Sequence, residues 1–507
     1  MLFNMRITTT HLYRLIAAFW FTVAALGVAF PVPGAELGAQ PDAAAAGDPP
    51  DAAAVAPGRA LAPVIEALVR QGLQSSLALA SATLEVERSE AVLAAARARF
   101  YPELALAARY TRASGGREFT IPVAQLLNHA YQTLNELLIA NGGNARFPAL
   151  SDQSFPLQLP REQDTRLTLR QPLYAPAVPA AAEAARAASS SASFAREAFA
   201  RELRRDLTVG YLDWLRARNA LRIVATSAEL LAENLRVNQS LYANGKSTHD
   251  AVLRAEAEWL AIVQQRGEVA NALDQAQSYV NFLLNRPLAA ALEPAQLPDS
   301  SSDAGEPGGP FEALAQSARP SLNEAAAAAR RPELRQLEAA EQAASAQLRA
   351  AQAARKPTLA LGVDAGTEGV DYGLGNKYNF LSASLMLNWT LFDAGARTAQ
   401  VSQARVAQAQ VGNQRQQAAA RLELEVRTAD QNLRTAQASL ATARARARAA
   451  RATWTTAAQR RNAGLASQLE FLDARSTLTS ALLNANQAEC ALLQRQAEDD
   501  FARGEQP

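Results

Sequence analysis

"TRLTLRQPLYA", residues 165–175, sets Leu167, Leu169 and Leu173 on one side of an extended chain and Arg166, Thr168 and Arg170 on the other. Alternation with a period of two is the pattern of a β-strand with one apolar face. The pattern returns in "LSASLMLNWTLFD" (381–393), where Leu381, Leu385, Leu387 and Trp389 oppose Ser382, Ser384 and Asn388. Two further segments alternate, "ELALAARYTR" (103–112) and "TLALGVDAGTEG" (358–369). About ten residues is the length of a strand that crosses a membrane with apolar side chains toward lipid and polar ones toward a lumen. Two hairpins in a soluble cap would carry the same pattern. Four strands are too few to close a membrane barrel, for which about eight is the minimum. A spanning barrel would therefore have to be shared between chains.

The strands belong to a tandem duplication. "LRQPLYA" (169–175) matches "LNWTLFD" (387–393) with Leu173 opposite Leu391, an offset of 218. Downstream, "YANGKSTHDAVLRA" matches "RNAGLASQLEFLDA" with Gly245 opposite Gly464, an offset of 219. Upstream, "ARFYPELALAA" resembles "ARKPTLALGVD" with Pro102 opposite Pro357, an offset of 255, so the first copy carries extra residues between Pro102 and Leu173. Recurrence of landmarks at fixed distance means one architectural unit used twice.

Between the strands and each glycine landmark the period changes to that of a helix. Leu422, Val426, Ala429, Leu433, Ala436, Leu440, Ala443, Ala447, Ala450, Trp454 and Ala457 alternate four and three apart, which is a coiled-coil seam. Leu221, Val224, Ala228, Leu231, Leu235 and Tyr242 keep the period in the first copy, with Asn238 at one seam position. Each copy then holds a helical hairpin whose long arm, roughly 65 residues, extends about 100 Å at 1.5 Å per residue. Gly245 and Gly464 read as helix-ending residues at the turn between the arms. The GKST of "LYANGKSTHDAVL" (241–253) is not a phosphate loop. The residue five before Gly245 is Ser240, where the loop requires glycine, and no strand leads into it.

Composition and motifs exclude other classes. With 50 basic and 49 acidic residues the formal charge is +1, which gives no electrostatic footprint for nucleic acid. His11, His129 and His249 are dispersed, and no metalloprotease, paired-cysteine or nucleophile-elbow motif accompanies them. The sequence calls for no enzyme and no cofactor. His249 beside Asp250 reads as a polar turn pair. The only cysteine, Cys490, lies in "NQAECALLQ", far from any lipid-attachment position. Arg6 and Arg14 precede the apolar run "LIAAFWFTVAALGVAF" (15–30), with small residues near Gly34 and Ala35 for cleavage. That is a secretory signal, with an uncleaved anchor as its alternative.

The duplicated plan resembles the TolC family of outer-membrane factors, mainly α with a small β part. The resemblance rests on "QPLYA" and "TLFDAGA" leading from strand to helix, "YANGKSTHDAVL" and "NAGLASQLEFL" at the turns, and "NFLLNRPL" (281–288) closing the first copy. It spans residues from about 61 to 503. It implies a homotrimer in which each chain gives four strands to one 12-stranded outer-membrane barrel, in contact with outer-membrane lipid, and gives its helices to one periplasmic tunnel. It also implies a passive exit duct for efflux or type I secretion, working with a periplasmic adaptor (membrane fusion protein) and an inner-membrane transporter. A secreted coiled-coil tether is the competing reading.

The resemblance further implies roles for particular residues. Gly245, Lys246 and Ser247, with Gly464, Leu465 and Ala466, become hairpin tips that face the adaptor. Glu470 and Asp473, six and nine residues after the second tip glycine, become a carboxylate ring at the tunnel entrance, with Asp250 as a further entrance residue. A solvated helix face has the same spacing. Arg461 and Ala466 occupy the family's latch positions without its residues, so that latch is not expected. The chain divides into a signal peptide (1–34), a low-complexity segment (35–60), a first repeat (61–290), a linker (291–329), a second repeat (330–503) and a tail (504–507). Residues 113–164 lengthen the first strand loop, with a helix expected over "VAQLLNHAYQTLNELLIA", as a lid or a surface insertion.

Overall fold

The structure, a computed structural model, describes residues 59–157, 161–296, 323–370 and 378–505. The expected signal peptide, most of the segment 35–60, and residues 297–322 of the expected linker lie outside the described residues.

The described residues form two repeats whose three longer helices match in length. In the first, β1 (Arg59–Ala60) and α1 (Leu61–Ser75) lead into α2 (Leu77–Ala98), β2 (Glu103–Arg112), the hairpin β3 (Glu118–Ile121) and β4 (Gln153–Pro156) around α3 (Val123–Ala140), then β5 (Arg161–Tyr174), α4 (Ala177–Ala243), α5 (His249–Leu283) and β6 (Ala295–Gln296). In the second, α6 (Glu324–Ala329) and α7 (Pro332–Ala353) lead into β7 (Thr358–Gly369), β8 (Asn379–Asn388), α8 (Ala396–Asn462) and α9 (Gln468–Ala502). The helices α2 and α7 have 22 residues each, α4 and α8 have 67, and α5 and α9 have 35. Helix α6 and strand β6 fall inside the stretch read as linker, where Asn323 caps α6 through its side chain.

The long helices pack against one another. On one side α4 packs on α2 and α5, on the other on α7 and α9, and α7 and α9 in turn pack on α8. The contact surface is the seam read from the periodicity. Leu422, Val426, Ala429, Leu433, Ala436, Leu440, Ala450 and Ala457 of α8 are all buried. Alanine at so many seam positions lets backbones approach closely, which a bulkier row would prevent. A denser core sits where α1, α2, α4 and α5 meet, around Leu207, Tyr211, Trp214, Leu215, Val280 and Leu284. There the Tyr211 hydroxyl donates to the Glu293 carbonyl (2.7 Å) and accepts from the Ala295 amide (2.9 Å).

The four principal strands form one antiparallel sheet in the order β2-β5-β7-β8. Its register puts Leu104 beside Leu169 and Val363, and Leu106 beside Leu167, Ala365 and Leu381. The opposite face aligns Ala105, Thr168, Asp364 and Ser382 in one row. Thr168 Oγ1 donates to Asp364 Oδ1 at 2.6 Å, and Arg166 is bonded to Asp164 on that polar side. On the other side Leu106 is 71 % exposed and Leu381 77 %. One face is thus oily and uncovered, the other polar and internally bonded.

The sequence period differs from the fold in two places. Strand β8 ends at Asn388, before Trp389. The Trp389 indole turns to donate to the Arg355 carbonyl (3.2 Å), and Asp393 accepts from the Gly395 and Arg397 amides, so this stretch is already the turn into α8. Strand β5 begins at Arg161, four residues before the alternation becomes clear, and is paired there by β2.

Candidate functional site

The two hairpin tips are the same structure made twice. After α4, Gly245 has φ +68°, and the Lys246 amide donates to the Leu241 carbonyl (2.8 Å). After α8, Gly464 has φ +74°, and the Leu465 amide donates to the Arg460 carbonyl (2.7 Å). Each bond runs back five residues around a left-handed glycine, the geometry of a Schellman helix end. A Cβ on either glycine would meet nothing within 4 Å, so the backbone conformation alone demands glycine. Lys246, Gly464 and Leu465 are exposed at these ends, while Ser247 and Ala466 are partly covered.

The return helices begin differently. Thr248 leads into α5 without capping it, whereas the Ser467 hydroxyl accepts the Glu470 amide (3.1 Å) at the start of α9. The four carboxylate and histidine candidates then part company. Asp250 pairs with Arg254 at 3.0 Å, and the His249 ring lies 5.2 Å from that of Tyr242. His249 and Asp250 therefore have separate partners and are not a turn pair. Glu470 accepts from Arg460 Nη1 at 2.7 Å across the turn. Asp473 is exposed, and no described side chain bonds it. Of the two carboxylates read as the entrance ring, Glu470 is charge-paired with Arg460 and Asp473 is unpaired among the described residues.

A cluster that the sequence did not announce joins the repeats beside the tips. Arg461 Nη2 donates to Asn234 Oδ1 on α4 at 2.9 Å, and its guanidinium lies 4.1 Å from the centre of the Phe471 ring. Phe471 meets Trp454 with ring centres 4.9 Å apart, and Arg475 lies 5.2 Å over Trp454. Arg475 Nη2 in turn donates to Ser227 Oγ on α4 (2.8 Å), which also bonds Thr479. The stack Arg461–Phe471–Trp454–Arg475 thus fastens α8 and α9 to α4 at two heights. Burial pushes both guanidinium groups below the ordinary arginine value. So Arg461, read as standing at a latch position without the family's residue, holds a cross-repeat contact through another partner. The available signal was Asn234 four residues before the seam residue Asn238: both polar side chains are buried, and Asn238 donates to Asn234 (3.0 Å).

Residues 325–498 match the outer membrane efflux protein family. Comparison with curated protein sequences gives no match. Among solved structures, the CmeC outer membrane channel of Campylobacter jejuni superposes with a TM-score of 0.70 at 15 % identity, over 87 % of this chain and 85 % of that one. The open state of the MtrE outer membrane channel of Neisseria gonorrhoeae gives 0.68 at 19 %, over 87 % and 89 %. The outer membrane protein VceC of Vibrio cholerae gives 0.69 at 15 %, over 87 % and 96 %. The chain therefore carries an outer membrane efflux protein domain over residues 325–498 and has the fold of the TolC-like outer-membrane channels.

Proposed function

We propose that three copies of this chain close into one outer-membrane channel, the passive exit duct of an efflux system for small molecules. The observation that carries this reading is the sheet. Its oily face needs a lipid solvent, and its outer strands β2 and β8 each have one edge unpaired among the described residues. In lipid every backbone N–H and C=O needs an internal partner. Pairing β8 of one copy with β2 of the next removes both edges, and three copies give twelve strands.

The 67-residue helices then run from the sheet to the tips, about 100 Å at 1.5 Å per residue, which suits a tunnel through the periplasm. At its far end the tips at Gly245 and Gly464 meet the adaptor, and an inner-membrane transporter supplies the energy. Asp473, with Glu470, lines the entrance and favours cations. The test is fractionation followed by planar-bilayer recording. Outer-membrane trimers with β-signal that conduct ions support the duct, and a soluble, wholly helical, non-conducting protein would favour a coiled-coil tether.

A further inference from the structure

The insertion between β2 and β5 contains a long helix that, among the described residues, packs extensively on neither the other helices nor the four-stranded sheet. Helix α3 has 18 residues, none of them buried. At 100° per residue, Val123, Leu126, Leu127, Leu134 and Leu137 fall in one arc, with Gln125, His129, Gln132 and Glu136 opposite. Between these arcs, Asn128 exchanges hydrogen bonds with the Leu150 backbone (2.7 and 2.8 Å), and Asn135 accepts from the Arg146 and Phe147 amides (3.0 Å each). Tyr131 packs on Phe147, ring centres 5.2 Å apart. The helix is therefore pinned to its own return loop by one flank while its leucines stand in the open, Leu126 at 70 % exposure and Leu137 at 56 %.

Two features choose the occupant of that arc. Helices that lie on anionic lipid carry Lys and Arg on the polar face, but the polar arc of α3 has Glu136 as its single charge. The insertion also rises from β2, an edge strand of the sheet and the one that pairs with the neighbouring copy in the channel just described. Twelve strands about 4.8 Å apart and tilted about 40° enclose a mouth roughly 24 Å across. Eighteen helical residues extend about 27 Å, enough to reach over it.

We propose that α3 closes the outer mouth: the leucine arcs of the three copies pack on one another across the exit. The partner is thus a second and third copy of this chain, and the inference rests on the trimeric-channel reading above. The test is disulfide trapping in outer membranes of cells expressing the full chain, with buried Cys490 as the unreactive background. Leu126→Cys, Leu134→Cys and Leu137→Cys are expected to give covalent dimers on oxidation, whereas Gln125→Cys and Gln132→Cys give none. Intact native trimers without any such dimer, or equal trapping from both arcs, would overturn the closure alone. Labelling of the leucine arc by a photoreactive phospholipid would assign it to the membrane and overturn it too. Replacing the three leucines by Glu is expected to raise single-channel conductance with trimers retained, and unchanged conductance counts against the closure. Absence of trimers in the unaltered protein would sink the channel reading itself.

Discussion

Arg461 and Asn234, 227 residues apart in sequence, meet through a 2.9 Å hydrogen bond that ties the tip of the second hairpin to the long helix of the first repeat. A hydrogen bond to a charged group in a partly buried site is worth more than a surface ion pair, and losing its acceptor leaves the Arg461 guanidinium with the Phe471 ring and without that bond. Asn234→Ala is therefore expected to lower the free energy of local opening near residues 461–470 by roughly 1–3 kcal/mol. Amide hydrogen exchange of the trimer is the measurement. Protection unchanged in that segment would mean that the Phe471 stack alone holds the tip.

The tip glycines make a second expectation. An L-residue in the left-handed conformation costs roughly 1–2 kcal/mol, and asparagine tolerates it best. Since nothing crowds either position, Gly245→Val or Gly464→Val should impair adaptor crosslinking and export more than trimer assembly, while Gly245→Asn and Gly464→Asn restore both. Equal damage from Val and Asn would indicate that the adaptor reads the missing side chain and not the backbone.

In the proposed entrance the two carboxylates should contribute unequally. Glu470 already shares its charge with Arg460 at 2.7 Å, whereas Asp473 is unpaired among the described residues. Asp473→Asn is expected to reduce cation selectivity and block by divalent cations more than Glu470→Gln, and Arg460→Gln should increase both by releasing Glu470. Reversal potentials across a salt gradient decide the order. Identical effects of the two carboxylate changes would show that the Arg460 pair does not persist in the assembled channel.

Cys490 is fully buried, and burial pushes its thiol up to about 12. Since the thiolate is the reactive form, maleimide labelling of the folded protein should be negligible near neutral pH and become complete on denaturation. Rapid native labelling would mean that the α9 seam opens far more readily than its packing implies.

Glu489 gives a pH dependence of known sign. It accepts from Arg444 at 3.2 Å, yet burial outweighs that pair and raises its carboxyl above the ordinary 4.5. A carboxyl raised on folding stabilises while protonated and loses that contribution as pH rises from 4.5 through the folded value. Glu489→Gln should thus gain thermal stability relative to the unaltered chain as pH increases over that window. A difference that shrinks with rising pH would mean that the Arg444 pair dominates.

The repeat architecture was legible because its signals are local and periodic. The α8 seam runs through Val426, Leu433 and Leu440 at helical spacing, and Leu167, Leu169 and Leu385 stand at strand spacing. The tips were legible for the same reason: a glycine ends each periodic run. What escaped is long-range or side-chain specific. Nothing in the order of residues pairs Arg461 with Asn234, or tells that Glu470 will fold back onto Arg460 across the turn. The β3–β4 hairpin pairs Phe119 with Phe155 over an intervening helix, too short a run for alternation to register. Trp389 kept the strand period but spends its indole on a backbone carbonyl, so the period outlasted the strand.

The edges of β2 and β8, unpaired among the described residues, bear on how the proposed channel would assemble. A lone copy in water would present an oily sheet with open margins, a template for indiscriminate strand addition. In the three-copy channel proposed above, completion needs three copies to meet, so the yield of mature protein should rise steeply with its synthesis rate while unassembled copies remain prey to proteases. Supply of protomers and the capacity of the machinery that inserts them, more than the intrinsic stability of any one chain, would then govern how many ducts a cell can hold.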